Sequence, residues 1–160
     1  MARSDKSNPA LVFQTAIIGG VLLGVLLLGV QWLTDNVLAD GFPALYPKLR
    51  IGLSLLAIWL VVGAIVRSIH RTRPTVPFHW LLLGGVLTAP LGTLAYQLGL
   101  LITKPGLAAF DLSLLLAAAA VGGLAALLSS INLKVRNRLL GNVIEGAVIV
   151  LLAVLFYASL

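Results

Sequence analysis

The chain contains no cysteine, which excludes disulfide bonds, thiolate metal sites and cysteine nucleophiles. It has only two histidines, His70 and His79, which are too few for a bis-histidine haem site between facing helices. Paired buried carboxylates, a nucleophile triad and a phosphate-binding loop are also missing from the sequence. The sequence therefore predicts no catalytic residue, no metal site and no cofactor, and a membrane enzyme is the least favoured class.

Charged residues are scarce as well, at 10% of the chain, whereas ordinary soluble domains carry roughly 25%. Apolar residues make up 60% of the chain, and its mean hydropathy is +1.09. A soluble domain needs a charged exterior, so lipid must be the solvent for most of this surface. The net charge of +6 comes from short basic groups at the ends of hydrophobic segments, which membrane topology explains better than a nucleic-acid partner.

Five hydrophobic segments are long enough to be membrane helices, since about 20 mainly apolar residues cross a hydrocarbon core of roughly 30 Å. They cover about residues 10–33, 51–69, 78–102, 112–133 and 139–160. The breaks between them are short, so the sequence predicts one integral membrane domain, 1–160, that forms an all-α polytopic bundle of five helices. Asn142, Glu145 and Gly146 interrupt the fifth segment, and four spans plus an interfacial helix is the alternative.

Two short similarities connect the two halves of the chain. Residues 53–56 and 62–63 recur with the same spacing at 112–115 and 121–122, and residues 19–22 recur at 84–87. A repeat of two hairpins followed by a C-terminal helix would explain these matches, as in some transporters. The alternative is chance, because Leu, Gly, Ala and Val dominate the composition.

Lys and Arg are distributed unequally between the two sides of the predicted membrane. Eight lie on the side of the N-terminus, and three lie on the other: Arg3, Lys6, Arg67, Arg71, Arg73, Lys134, Arg136 and Arg138 against Lys48, Arg50 and Lys104. Positive charge is retained preferentially in the cytoplasm. The sequence thus predicts a cytoplasmic N-terminus and an outside C-terminus, and we expect a bacterial inner membrane.

Small residues recur at every fourth position in several segments, which lets two helix backbones approach closely. The residues predicted to pack in this way are Gly20 and Gly24 in the first segment, Gly84 and Gly92 in the third, and Gly122 and Ala126 in the fourth. The third and fourth helices are therefore expected at the centre of the bundle, and the glycine face of the first suits self-association or a partner helix. Pro90, near the middle of the third segment, predicts a kink that is either a hinge or a static bend filled by neighbours.

Glu145 is the one carboxylate well inside a hydrophobic segment, so it must face protein or water rather than acyl chains. Asn142 and Arg138 lie on the same helix face as Glu145, at i−3 and i−7. The three residues form the predicted binding site at the inner membrane surface. The alternative is an interfacial structural cluster in which Glu145 pairs with a basic residue of the 70–73 loop.

Two functional classes fit these observations. The first is a small non-catalytic subunit or scaffold of a membrane complex, whose partners are the lipid bilayer and further copies of the chain or other membrane subunits. The second is a small oligomeric transporter or channel for an ion or small solute, using Glu145 and the Pro90 helix. The transporter hypothesis predicts that Glu145, Asn142 and Gln97 or Gln14 line one cavity.

Overall fold

The computed structural model describes residues 9–43, 45–104, 110–135 and 138–159, apart from the side chains of residues 138 and 152–159. Within these residues there are five long helices and no strand, so the predicted all-α bundle is confirmed. The helices are α1 (Pro9–Leu33), α2 (Tyr46–Thr72), α3 (Phe78–Thr103), α4 (Leu112–Lys134) and α5 (Arg138–Ser159).

Local sequence explains where several helices begin and end. α2 starts at Tyr46, five residues before the predicted segment, because Pro47 suits the first turn of a helix, where its missing N–H costs nothing. Pro77 precedes α3 in an extended conformation. Asp111 caps α4, since its Oδ1 accepts hydrogen bonds from the backbone N–H groups of Ser113 and Leu114 at 2.8 and 3.4 Å.

The helical structure that begins with α1 does not stop at Leu33. It continues through a π-helical turn, Thr34–Leu38, and a last α-helical turn, Ala39–Gly41. The whole helical run is 33 residues long, or about 50 Å at 1.5 Å per residue. This length exceeds the roughly 30 Å of a bilayer core, so α1 and its extension are long enough to reach beyond the hydrocarbon region of a membrane.

Four helices, α1 to α4, are long and apolar enough to cross a membrane. The described apolar part of α5, Leu139–Leu151, is shorter than a span. A membrane crossing by α5 therefore stays a prediction.

Helices α1 to α4 form a four-helix unit in which α1 packs on α3, α3 on α4, α4 on α2, and α2 on α1. α2 also contacts α3 across this unit, and α5 packs on the outside, mainly against α4. The large, fully buried apolar side chains come from α1 and α2: Val12, Leu23, Val62, Val66 and Ile69. α3 and α4 contribute mostly small buried residues. The large side chains of α1 and α2 therefore pack into the space that these small residues leave.

A close helix approach joins α3 to α4 through glycine. A Cβ atom added to Gly122 would lie 2.5 Å from the Cβ of Ala89 and 2.7 Å from the carbonyl oxygen of Gly85. A Cβ added to Gly85 would overlap the methyl group of Ala126. These contacts leave no space for a side chain, so the two backbones touch directly.

A second close approach joins α1 to α3. A Cβ on Gly20 would lie 2.7 Å from the Cβ of Leu91, and one on Gly24 would lie 2.6 Å from the Cβ of Ala95. Gly92 leaves room for the side chain of Leu23, which a Cβ would meet at 2.6 Å. The glycine face of α1 is thus used inside the chain and is not open to a partner helix.

Gly84 makes a looser contact than these residues. A Cβ at this position would meet side-chain atoms of Ile69 at 3.2 Å and of Val12 at 3.5 Å. Gly84 therefore borders the apolar core instead of a neighbouring backbone.

One pair of equivalent residues, Gly20 and Gly85, makes different contacts in the two halves of the chain. Gly85 packs against Gly122 in the adjacent α4, whereas Gly20, its counterpart in the sequence similarity, packs against α3. Residues at equivalent places in the proposed repeat therefore have different tertiary roles.

We expect Gly122→Ala to destabilise the bundle by about 1–3 kcal/mol, the usual cost of overpacking, because backbone atoms of α3 must move. Unfolding in mild detergent, followed by circular dichroism, would measure the change. Gly29→Ala is the matched control, since a Cβ there meets nothing within 4 Å. Equal losses of stability in both variants would contradict direct backbone contact between α3 and α4.

Candidate functional site

Glu145 is buried where α5 meets α4 and α2, with 9% of its surface exposed. Its Oε1 accepts hydrogen bonds from Nε1 of Trp59 at 3.2 Å and from the hydroxyl of Ser129 at 3.1 Å. Its Oε2 accepts a hydrogen bond from Nδ2 of Asn132 at 2.5 Å. These four residues, which come from three helices, constitute the Glu145 cluster.

Among the described side chains, Arg67 of α2 forms an ion pair with this carboxylate. Its Nη1 lies 3.8 Å from Oε1 of Glu145, and its side chain is 39% exposed. At that distance and exposure the ion pair contributes little stability. The neutral donors of Trp59, Ser129 and Asn132 are therefore the main partners of the carboxylate.

Of the two residues predicted beside Glu145, the structure describes the side chain of Asn142. Oδ1 of Asn142 accepts a hydrogen bond from Asn132 at 3.2 Å, so Asn142 joins the cluster through Asn132 rather than through Glu145. Arg138 begins α5, but its side chain lies outside the described residues. The cation found beside Glu145 is Arg67, instead of a residue from the 70–73 loop.

Gly141 allows α5 to approach α4 at this point. A Cβ on Gly141 would overlap the side-chain amide oxygen of Asn132, the residue that donates to Glu145. Both oxygens of the carboxylate accept hydrogen bonds from side chains of α2 and α4. The cluster is built to attach α5 to the four-helix unit.

Gln97 lies at the opposite end of the bundle from Glu145. Its Nε2 donates to the backbone carbonyl oxygen of Asp111 at 3.0 Å, which joins α3 to the start of α4. Asp111 and Asn132 are separated by about 31 Å along α4, at 1.5 Å per residue. Gln14 is exposed on α1. The structure thus does not bring Gln97 or Gln14 together with Glu145.

Asp111 itself is a solvated helix cap. The hydroxyl of Ser113 and the backbone N–H groups of Leu114 and Ser113 lower the pKa of Asp111, because they stabilise its carboxylate. The presence of this carboxylate at the start of α4 is thus explained by its role as the helix N-cap.

A cavity of about 540 Å³ lies where the C-termini of α1 and α3 meet the N-terminus of α2. We name it the Asp35 pocket; its lining residues are Gln31, Asp35, Ala39, Tyr46, Arg50, Leu100 and Lys104. The volume is in the range of small-molecule sites. Two cations and one carboxylate line it, so the lining carries a formal charge of +1 near neutral pH.

Hydrogen bonds connect these side chains across three helices. Nη2 of Arg50 donates to the hydroxyl of Tyr96 at 3.1 Å, and that hydroxyl donates to Oε1 of Gln31 at 2.5 Å. Nε2 of Gln31 donates to Oδ2 of Asp35 at 3.3 Å.

Asp35 has two further donors in the pocket. Nζ of Lys104 lies 3.2 Å from its Oδ2, and the hydroxyl of Tyr46 donates to its Oδ1. The carboxylate therefore already has three partners.

The π-helical turn Thr34–Leu38 contains Asp35. Such turns are rare and occur frequently at functional sites, because they turn side chains away from the regular helix register. In the sequence, Arg50 and Lys104 are separate residues near the ends of two predicted segments. Both were predicted on the same side of the membrane, which is the one indication in the sequence that they could share a site. The sequence could not show that the helices carrying them are neighbours.

Comparison of the chain with protein-family models, curated proteins and solved structures gives no match.

We expect Glu145→Ala to loosen the attachment of α5 by about 1–3 kcal/mol, because Trp59, Ser129 and Asn132 would each lose a hydrogen-bond acceptor. Hydrogen exchange over residues 139–151 would report the lost protection.

Ile144→Ala is the control for this measurement, because Ile144 is exposed on the same helix. The fluorescence of Trp59 in a variant with Trp32→Phe and Trp80→Phe would give a second readout. Unchanged exchange and fluorescence in Glu145→Ala would contradict the attachment role.

Proposed function

We propose that this protein is a small non-catalytic subunit or scaffold of a membrane complex. The observation that carries the proposal is the Glu145 cluster, in which both oxygens of the buried carboxylate accept hydrogen bonds from side chains of the same chain. A transported ion or a substrate at this carboxylate would have to compete with these donors. Glu145 instead supports a structural connection between helices.

Packing around Pro90 supports a rigid bundle. Pro90 lies in α3 between the contact of Gly85 with α4 and the contact of Gly92 with α1. A hinge at Pro90 would have to separate at least one of these close backbone contacts, and packed helices resist such movement. This arrangement favours the static bend over the hinge.

The distribution of polar groups also supports the scaffold. Hydroxyl groups of Thr88 and Thr93 donate to carbonyl oxygens one turn earlier in α3, at 2.7 and 3.0 Å, so these buried groups are satisfied within the helix. The Asp35 pocket contains neither Glu145 nor Gln97. Among the described residues, the two polar clusters thus lie at opposite ends of the bundle.

The second candidate remains a small oligomeric transporter or channel. One observation favours it: the Asp35 pocket is open and charged, as an entrance for an ion or small solute would be. This function requires a rearrangement that connects the pocket with the Glu145 cluster across the bundle.

Exposed apolar surface is available for lipid and for partner helices. Ile17, Val21 and Val25 form one exposed row on α1, while Val143 and Ile144 are exposed on α5. We propose that lipid and either partner membrane subunits or further copies of the chain cover these faces.

We further propose that the N-terminus is cytoplasmic, with the Asp35 pocket outside and the C-terminus outside after five crossings. Because the chain has no cysteine, single substitutions can be labelled without background. In intact spheroplasts we expect a membrane-impermeant maleimide to label Asp40→Cys and to leave Thr75→Cys unlabelled; both positions are exposed in the structure. Labelling of Thr75→Cys alone would reverse the orientation.

Purification from the native membrane in mild detergent, followed by native mass determination, tests the scaffold. We expect one defined heteromeric mass for the wild type and for Glu145→Gln, because glutamine retains one side-chain oxygen that can accept the hydrogen bonds of Trp59 and Ser129. Thr75→Ala serves as the control, since Thr75 is an exposed turn residue outside these apolar faces.

Reconstitution into liposomes separates the two candidates. The scaffold predicts no ion or solute flux by the purified chain. A homo-oligomer without other subunits, whose flux is abolished by Glu145→Gln while the fold is kept, would replace the scaffold with the transporter.

A further inference from the structure

Arg50 is the residue of the Asp35 pocket whose charge the structure leaves unbalanced. It lies in the second turn of α2, is half-buried, and donates to the hydroxyl of Tyr96. The ion pairs among the described residues join Lys104 to Asp35 and Arg67 to Glu145, and neither includes Arg50. A guanidinium group has five N–H donors, so Arg50 retains donors that its bonds to Tyr96 and Tyr46 do not use.

Asp35 cannot serve as a cation site without losing its present partners. Its carboxylate accepts hydrogen bonds from Tyr46, Gln31 and Lys104. A cation would have to displace Lys104 and would then face the charge of Arg50. An anion would meet the unused donors of Arg50 and a lining with excess positive charge.

We propose that the Asp35 pocket binds an anionic phosphate group through Arg50. A guanidinium group suits this ligand, because its planar donors can form two parallel hydrogen bonds to the oxygens of one phosphate. Tyr96 holds Arg50 in place and is itself held by Gln31, so the donor is positioned before the ligand arrives. The cavity of about 540 Å³ accommodates a phosphate with a small substituent.

The phosphate can come from a lipid headgroup or from a soluble anion. Exposed aromatic and apolar side chains lie beside the pocket, with Trp32 64% and Phe42 55% exposed. Such residues are enriched at the interface of a membrane with water, where phospholipid headgroups are found. The binding chemistry at Arg50 is the same for both sources.

Thermal unfolding in detergent tests the site, because a ligand that binds the folded protein raises its midpoint in a saturable way. Three probes are compared: phosphatidylglycerol, diacylglycerol with the same acyl chains, and inorganic phosphate at constant ionic strength. We expect phosphatidylglycerol to stabilise the wild type more than diacylglycerol does. Equal stabilisation by inorganic phosphate alone would assign the site to a soluble anion, whereas none would assign it to the lipid headgroup.

Arg50→Gln removes the charge and is expected to weaken phosphate binding by about tenfold or more, the usual effect of losing charge-assisted hydrogen bonds. Lys48→Gln is the matched control, because it removes the same charge from the same end of α2 without lining the pocket. This control should retain the wild-type affinity.

Arg50→Lys is a milder variant that tests the planar donor pair if Arg50→Gln does not fold. It keeps the charge and is expected to bind more weakly than the wild type. The proposal is overturned if no phosphate-bearing probe gives saturable stabilisation, or if a folded Arg50 variant binds as tightly as the wild type.

Discussion

The close approach of α3 to both α1 and α4 is the constraint on which the rest of the structure depends. In lipid, apolar side chains gain little from leaving their surroundings, so helices associate through close packing and hydrogen bonds. Gly85 and Gly122 bring the backbones of α3 and α4 together, and Gly20 and Gly24 do the same for α1 and α3. The position of α3 then determines which ends of the other helices become neighbours.

Both polar clusters follow from this packing. The Asp35 pocket needs Gln31 and Asp35 from α1, Tyr46 and Arg50 from α2, and Lys104 from α3 at one end of the unit. The Glu145 cluster needs Trp59 from α2 and two residues from α4 on the surface that receives α5. Each cluster is formed by residues from three helices, so neither can exist before those helices have assembled.

The clusters differ in how completely their charges are matched. At Glu145 three neutral donors and a cation at 3.8 Å surround one carboxylate. The hydrogen bonds of this carboxylate connect α5 to the four-helix unit. In the Asp35 pocket one carboxylate faces two cations, and Arg50 has no ion pair among the described residues. Structural and binding roles are therefore separated along the bundle axis, which fits a scaffold that carries a ligand site at one end.

The sequence by itself determined the helical class, the number of long helices and the small residues that make close packing feasible. Composition and segment length are sufficient for this, because lipid requires apolar surfaces and internally bonded backbones. It also singled out Glu145, since a carboxylate in an apolar segment needs partners. Only the tertiary structure decided that those partners are Trp59, Ser129 and Asn132, that α1 uses its glycine face internally, and that Arg50 and Asp35 share a pocket. Helix periodicity specifies which residues share one helix face, whereas contacts between helices depend on which helices are neighbours and on their relative rotation, and these follow from the packing of the whole bundle.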